Sequence, residues 1–251
     1  MIVVTIIKCV NINVNIVPIL HKFSPDDILM LCHESYINRN IKMLNLINNY
    51  TKICHELSIN LIEFSCRCGH INIVKYLHKN IKLSKEDFQS DNNEACLYAC
   101  ENGHIEVVKY LHKEVGLLKQ DFQSFNNKAC LYSCKNGHIE VVKYLHKEVG
   151  LLRQDFQSNN HVYECACACE YACKNGHIEV VKYLHKEVEL LRQDFQFNNN
   201  HACVYACENG HVKVVKYLHE EVGLSKQDFQ SDYNRACRIV CYNGHNFLWK
   251  F

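Results

Sequence analysis

The chain has 251 residues, 48% hydrophobic and 22% charged, the balance of an ordinary folded protein. Lys and Arg number 28 against 27 Asp and Glu, so no basic excess points to nucleic acid and no acidic tail repels it. The only prolines are Pro18 and Pro25, so nothing beyond them blocks a helix.

Residues 1–28 form a lead-in. Its first 20 residues lack a basic leading region and a small-residue cleavage site, so secretion is not expected. Lys8 and several asparagines interrupt the apolar run, which is too broken to span a membrane. A partly ordered strand and an apolar lead-in both fit. Residues 29–58 read as a degenerate repeat that caps the array. There Cys32 to Ile47 follow the grammar of the later repeats, with Arg39-Asn40 in the place of Gly-His.

From there one phrase dominates, beginning at Asn102, Asn136 and Asn175 as Asn-Gly-His-Ile-Glu-Val-Val-Lys-Tyr-Leu-His-Lys-Glu-Val, with close variants at Cys68 and Asn209. Its Gly-His pairs fall at 69/70, 103/104, 137/138, 176/177, 210/211 and 244/245, spaced 34, 34, 39, 34 and 34 residues. A period in this range signals stacked supersecondary units. The repeats run 59–91, 92–125, 126–159, 160–198 and 199–232, with a truncated one at 233–251.

Residues 92–118 show the grammar. Asn92-Asn93 predicts an N-cap for a first helix through Ala95 and Cys100. Asn102-Gly103 ends it, since Gly takes the left-handed C′ conformation readily. A second helix is predicted from about His104 to Glu114, with Ile105, Val108 and Leu111 on its apolar face and Glu106 three residues before Lys109. Gly116 stops it. The connector predicts a short helical turn, capped as in Ser84-Lys85-Glu86-Asp87, whose Phe122 folds back to seal the helix pair. Two short helices cannot bury two apolar faces alone, so the units stack.

The 160–198 repeat carries five extra residues within Asn159 to Ala168, which either lengthen its first helix or bulge before it. The last repeat stops at Asn246 to Phe251, and its end is expected to fray first.

Asn102-Gly103-His104-Ile105-Glu106-Val107-Val108-Lys109-Tyr110-Leu111 closely resembles the second-helix motif of ankyrin repeats, in register over roughly residues 60–245. The resemblance implies an all-α helical solenoid of stacked helix–turn–helix units. The first helix departs from the family's Thr-Pro-Leu-His, having Lys128-Ala129-Cys130-Leu131. The period of 34 is one longer than usual, so a helical turn is expected in place of the family's β-turn finger. The variant phrasing looks like the large ankyrin families of giant amoeba-infecting, mimivirus-like DNA viruses. That implies the host cytoplasm, in keeping with the intracellular, reducing location expected from residues 1–20.

The chemistry-bearing residues belong mostly to the phrase. Five Cys-x3-Cys pairs, 96/100, 130/134, 169/173, 203/207 and 237/241, read as small buried hydrophobes on one helix face. A zinc site needs four converging ligands, and one helix supplies at most two. The denser Cys165–Cys173 cluster leaves metal binding open. Eleven of the 16 histidines recur in Gly-His or Tyr-Leu-His. Nothing forms a unique nucleophile–base pocket, and no phosphate loop, Gly-x-Ser-x-Gly or His-Glu-x-x-His occurs, so no enzyme and no cofactor are expected.

The resemblance implies protein–protein binding by a monomer through a concave face and connector tips. No nucleic acid, membrane or small-molecule substrate is expected. Candidate contacts sit where the copies differ: Phe125, Lys128, Tyr163, Phe197 and His201. The positions before Ala-Cys (Glu94, Lys128, His201, Arg235) and before Asn-Gly (Glu101, Lys135, Lys174, Glu208) change charge and are expected to be solvated. A drifting gene copy without a partner and a ubiquitin-ligase adaptor are the alternatives. The second lacks any recognisable ligase-binding module in residues 1–30.

Overall fold

The structure is a computed structural model that describes residues 55–157, 167–230 and Arg238. The lead-in, most of the degenerate repeat, the insertion with Tyr163 and the truncated repeat apart from Arg238 lie outside the described residues. Among the described residues every regular element is a helix. Chain contacts divide the protein into two units, Met1–Ala99 with Glu106–Leu117, and Cys100–Ile105 with Leu118–Phe251.

The first unit contains α1 (His55–Cys68), α2 (Ile71–Lys79), the short α3 (Lys85–Phe88) and α4 (Ser90–Glu101) as far as Ala99. It also holds most of α5 (Ile105–Tyr110), which runs on into a π-helical turn, Leu111–Val115. One continuous α-helix to Glu114 was expected here; the wider turn replaces its end. Gly116, at φ 82, closes the turn by donating its N–H to Leu111 O. The core comprises Leu61, Ile62, Ile73, Val74, Leu77, Phe88, Val107, Val108 and Leu111, all nearly fully buried.

The second unit repeats one three-helix phrase. It comprises α6 (Lys119–Phe122), α7 (Ser124–Lys135) and α8 (Ile139–Lys147), then α9 (Arg153–Phe156), α10 (Ala168–Lys174) and α11 (Ile178–Lys186). α12 (Arg192–Phe195), α13 (Phe197–Glu208), α14 (Val212–Glu220) and α15 (Lys226–Phe229) follow. First helices stack on first helices, with α10 between α7 and α13. Second helices stack likewise, with α11 between α8 and α14. Each second helix turns a Val-Val, Tyr and Leu inward, such as Val180, Val181, Tyr183 and Leu184 in α11, and leaves Glu and Lys outside. Phe122, Phe156 and Phe195 are completely buried, so the connector helices seal each pair as the pattern predicts.

The asparagines behave differently from the prediction. Asn92-Asn93 and their equivalents do not act as N-caps. They form one left-handed turn between connector and first helix: Asp91, Asn92 and Asn93 at φ 49, 58 and 69, Phe125, Asn126 and Asn127 at 50, 58 and 63, and Asn198, Asn199 and Asn200 at 53, 56 and 62. Asn and Asp tolerate this region because their short polar side chains make local hydrogen bonds. The Asn127 and Asn200 N–H groups close the turn on Gln123 O and Gln196 O, each at 3.1 Å.

Candidate interaction surface

Three sets of polar contacts latch neighbouring repeats, and they account for most of the recurring chemistry. The Asn-Gly-His phrase supplies the first. Asn136 Nδ2 donates to Glu101 O at 2.8 Å, Asn175 Nδ2 to Lys135 O at 2.6 Å, and Asn209 Nδ2 to Lys174 O at 2.8 Å. His177 Nε2 and His211 Nε2 reach the same Lys135 and Lys174 carbonyls at 3.0 Å. Those carbonyls sit at first-helix C-termini, where the helix itself offers no donor. Each repeat thus caps the one before it. Burial pushes the pKa of His138 and His177 down, partly offset by bonds to the Glu101 and Lys135 carbonyls, which favours neutral rings.

The Tyr-Leu-His histidine supplies the second. His146 Nδ1 lies 3.0 Å from Tyr183 OH and His185 Nδ1 2.9 Å from Tyr217 OH, each in the next repeat. In the first unit His78 Nδ1 meets Tyr110 OH at 2.9 Å. The same rings meet the sealing Phe156 and Phe195 edge to face at 6.0 Å. Burial, aided by the Glu187 and Glu221 charges, pushes Tyr183 and Tyr217 up to about 12, so both remain hydroxyl donors.

The connector aspartate supplies the third. Asp194 Oδ2 accepts the Leu191 N–H and the Arg153 guanidinium, both at 2.7 Å, while Oδ1 accepts Gln157 Nε2 at 2.8 Å. Asp155 and Asp228 repeat the pattern with Gln123 and with Gln196 and Arg192. Burial works to raise the Asp228 pKa, but hydrogen bonds from Gln196, Ser225 and Arg192 outweigh it and hold the carboxylate below its usual range.

The cysteines of the described Cys-x3-Cys pairs are buried thiols in no disulfide. Cys130 and Cys203 point their thiols at Asp155 O and Asp228 O, at 3.6 and 3.5 Å. Burial pushes Cys130, Cys169, Cys173 and Cys203 well up, so they hold their protons as packing groups rather than as nucleophiles. Among the described residues no three metal-ligating side chains converge. Cys165 lies outside them.

The sequence-derived contact residues fall in different settings. Phe125 is half-buried with the Lys128 ammonium 5.9 Å from its ring centre, and Lys128 also faces Tyr132 at 5.8 Å. Phe197 and Cys167 help line a cavity of about 190 Å³. His201 takes a hydrogen bond from Asn198 at 2.7 Å and lies 3.6 Å from Glu170. Glu94, Lys128, His201, Glu101, Lys135 and Glu208 are half-buried rather than open to solvent, while Lys174 is exposed as expected and Arg235 lies outside the described residues.

Two features escaped the sequence reading. Glu170 stands where other repeats have Leu97, Leu131 and Val204. It is 6% exposed with no hydrogen-bond partner for Oε2, and burial pushes its pKa up to about 7 against the pull of Lys174. Comparison of the copies in register carried that signal. Leu118, Leu152 and Leu191 stay about half exposed, at 53%, 55% and 49%.

The family profile for ankyrin repeats in sets of three copies matches residues 9–121, 61–155, 98–194, 132–230 and 169–248. The chain belongs to the ankyrin-repeat family. No curated protein matches it. Ankyrin repeats are generally protein–protein interaction modules, and this ankyrin-repeat protein has its repeated His, Cys, Asn and Asp engaged in holding repeats together. Its first-helix positions and connectors carry the variation. No helix among the described residues is long and apolar enough to cross a membrane.

Proposed function

We propose that this ankyrin-repeat protein is a non-enzymatic, monomeric scaffold that binds a host or viral protein in the cytoplasm of an infected cell. It uses no cofactor and needs no nucleic acid, membrane or small-molecule substrate. The partner meets the variable first-helix positions and connector tips, with Phe125, Lys128, Tyr163, Phe197 and His201 among the contacts. The viral setting rests on the phrasing of the repeats alone.

Phe125 carries the reading. At φ 50 it holds a left-handed position that Asp91 and Asn198 fill in other repeats. A bulky side chain there is strained, and strain retained at one residue points to a use for its side chain. The ring is half-buried beside a lysine, a suitable anchor for a partner's surface.

The test is capture by chemical cross-linking from host-cell lysate with the wild-type chain and with Phe125→Asn, followed by mass spectrometry. Asn is the residue best suited to that backbone, so the variant stays folded. A saturable partner held by the wild type and weakened at least tenfold by Phe125→Asn supports the scaffold. A capture profile that is the same for both, or no saturable partner at all, overturns it in favour of a drifting copy.

A further inference from the structure

Leu118, Leu152 and Leu191 are the only large hydrophobic side chains left exposed among the described residues. All three occupy one position, the residue before the connector helix, in successive repeats of the second unit. The equivalent residues at the outer connectors are Ser84 and Ser225. Serine suits the site: Ser84 Oγ accepts the Asp87 N–H at 3.4 Å, while Asp87 Oδ2 accepts the Ser84 N–H at 2.7 Å. Leucine gives up the first of these bonds and leaves apolar surface in water. Three copies of that double disadvantage in line suggest a surface that something covers.

Each leucine is followed by a cation. Lys119, Arg153 and Arg192 have side chains 34%, 32% and 48% exposed. The carboxylates they reach, Asp155, Asp194 and Asp228, are only 5%, 10% and 10% exposed. The face turned to solvent is therefore apolar and cationic.

Building on the scaffold role above, we propose that this stripe seats an amphipathic helix of the partner, with apolar residues seven apart and carboxylates beside them. Stacked helices lie about 8–10 Å apart, and seven residues of helix rise about 10.5 Å, so one apolar side chain meets each repeat. The acidic flanks answer the Lys119, Arg153 and Arg192 charges. A second copy of this chain would bring cations against cations, which disfavours self-docking.

The probe is a labelled synthetic helix with leucines at i, i+7 and i+14 flanked by glutamates, compared by fluorescence anisotropy with a lysine-flanked version. The full chain should bind the glutamate helix. The Leu118→Ser, Leu152→Ser, Leu191→Ser triple variant, which restores the residue of the outer connectors and keeps its circular dichroism, should bind about a hundredfold more weakly. Equal binding by wild type and triple variant overturns the proposal, as does equal binding of the lysine helix. A wild-type dimer in sedimentation that the triple variant breaks overturns it in favour of a second copy. The two proposals fail separately: a Phe125-dependent partner that the triple variant still holds removes the stripe alone, and a peptide seated on the stripe without any Phe125-dependent partner removes the Phe125 reading alone.

Discussion

His177 of one repeat lies so close to Gly137 of the repeat before it that a methyl group added at Gly137 would sit 2.4 Å from His177 Nδ1. Gly103 and His138, and Gly176 and His211, stand in the same relation. The glycine thus meets two demands, a left-handed backbone at φ 77 and room for an imidazole that caps the preceding helix. Gly150 has only the first, at φ 80, with nothing within 4 Å of an added methyl. Gly150→Ala should cost about 1 kcal/mol, the price of left-handed backbone alone. Gly137→Ala should cost about 2 kcal/mol, because the ring must also move and give up its own bond to the Lys135 carbonyl, which Asn175 Nδ2 still caps. Urea unfolding of both variants checks this, and equal losses would show that the close approach carries no energy.

Phe125→Asn should raise stability by about 1 kcal/mol, since Asn sits in the left-handed region at less strain than Phe. The neighbouring Asn126→Ala, at φ 58, should lower it by a similar amount. Thermal unfolding reads both. A loss of stability in Phe125→Asn would mean that the ring's packing against Lys128 outweighs its backbone strain.

The division between what was legible in the sequence and what was not follows from physics that acts along the chain or across it. The helix–Gly–helix grammar, the capped connector turn and the buried Phe122 depend on neighbours within a few residues, and the sequence reading located them. Asn92-Asn93 misled because the same short polar side chain serves an N-cap and a left-handed turn. Asn136 and His177 act on carbonyls 35 and 42 residues away, a relation that no local pattern reveals. Leu117 and Leu118 are adjacent and identical in chemistry, yet the first is fully buried and the second 53% exposed. Of the candidate contacts, the structure brings Phe125 and Lys128 together, sets His201 beside Glu170, and says nothing of Tyr163.

Glu170 should make stability depend on pH. Its pKa rises from 4.5 in the open chain to about 7 in the fold, so the folded protein holds the proton more tightly. Stability is therefore lost as pH climbs from about 4.5 to about 7, and the full penalty above that window is about 3 kcal/mol. Glu170→Leu restores the residue of the Leu97 and Leu131 copies and removes that penalty. The variant should unfold at higher urea than wild type at pH 8, with a markedly smaller gain at pH 4.5. His138, His146, His177 and His185, with pKa values held down by burial, destabilise both proteins alike as pH falls below 6.5, so they cancel in the difference between variant and wild type, which reports Glu170 together with its neighbour His201, 3.6 Å away. A gain that does not change with pH would place the Glu170 effect in packing instead.

Asp194 joins two repeats and caps its own connector helix, so its loss should be felt beyond one ion pair. Its side chain is 10% exposed, and Asp194→Ala leaves the Leu191 N–H, the Gln157 amide and the Arg153 guanidinium without their acceptor. That should cost about 3 kcal/mol, because groups left unsatisfied at a mostly buried site cost more than their bonds contributed. The Lys147–Glu187 pair also bridges repeats, at 3.1 Å, but its side chains are 56% and 51% exposed. Water screens it, and its coupling should be about 0.5 kcal/mol or less. Double-mutant cycles on Arg153 with Asp194 and on Lys147 with Glu187 compare the two directly. A coupling at Arg153–Asp194 no larger than at Lys147–Glu187 would mean that the connector aspartates serve as local caps and that repeat stacking rests on the buried helix faces alone.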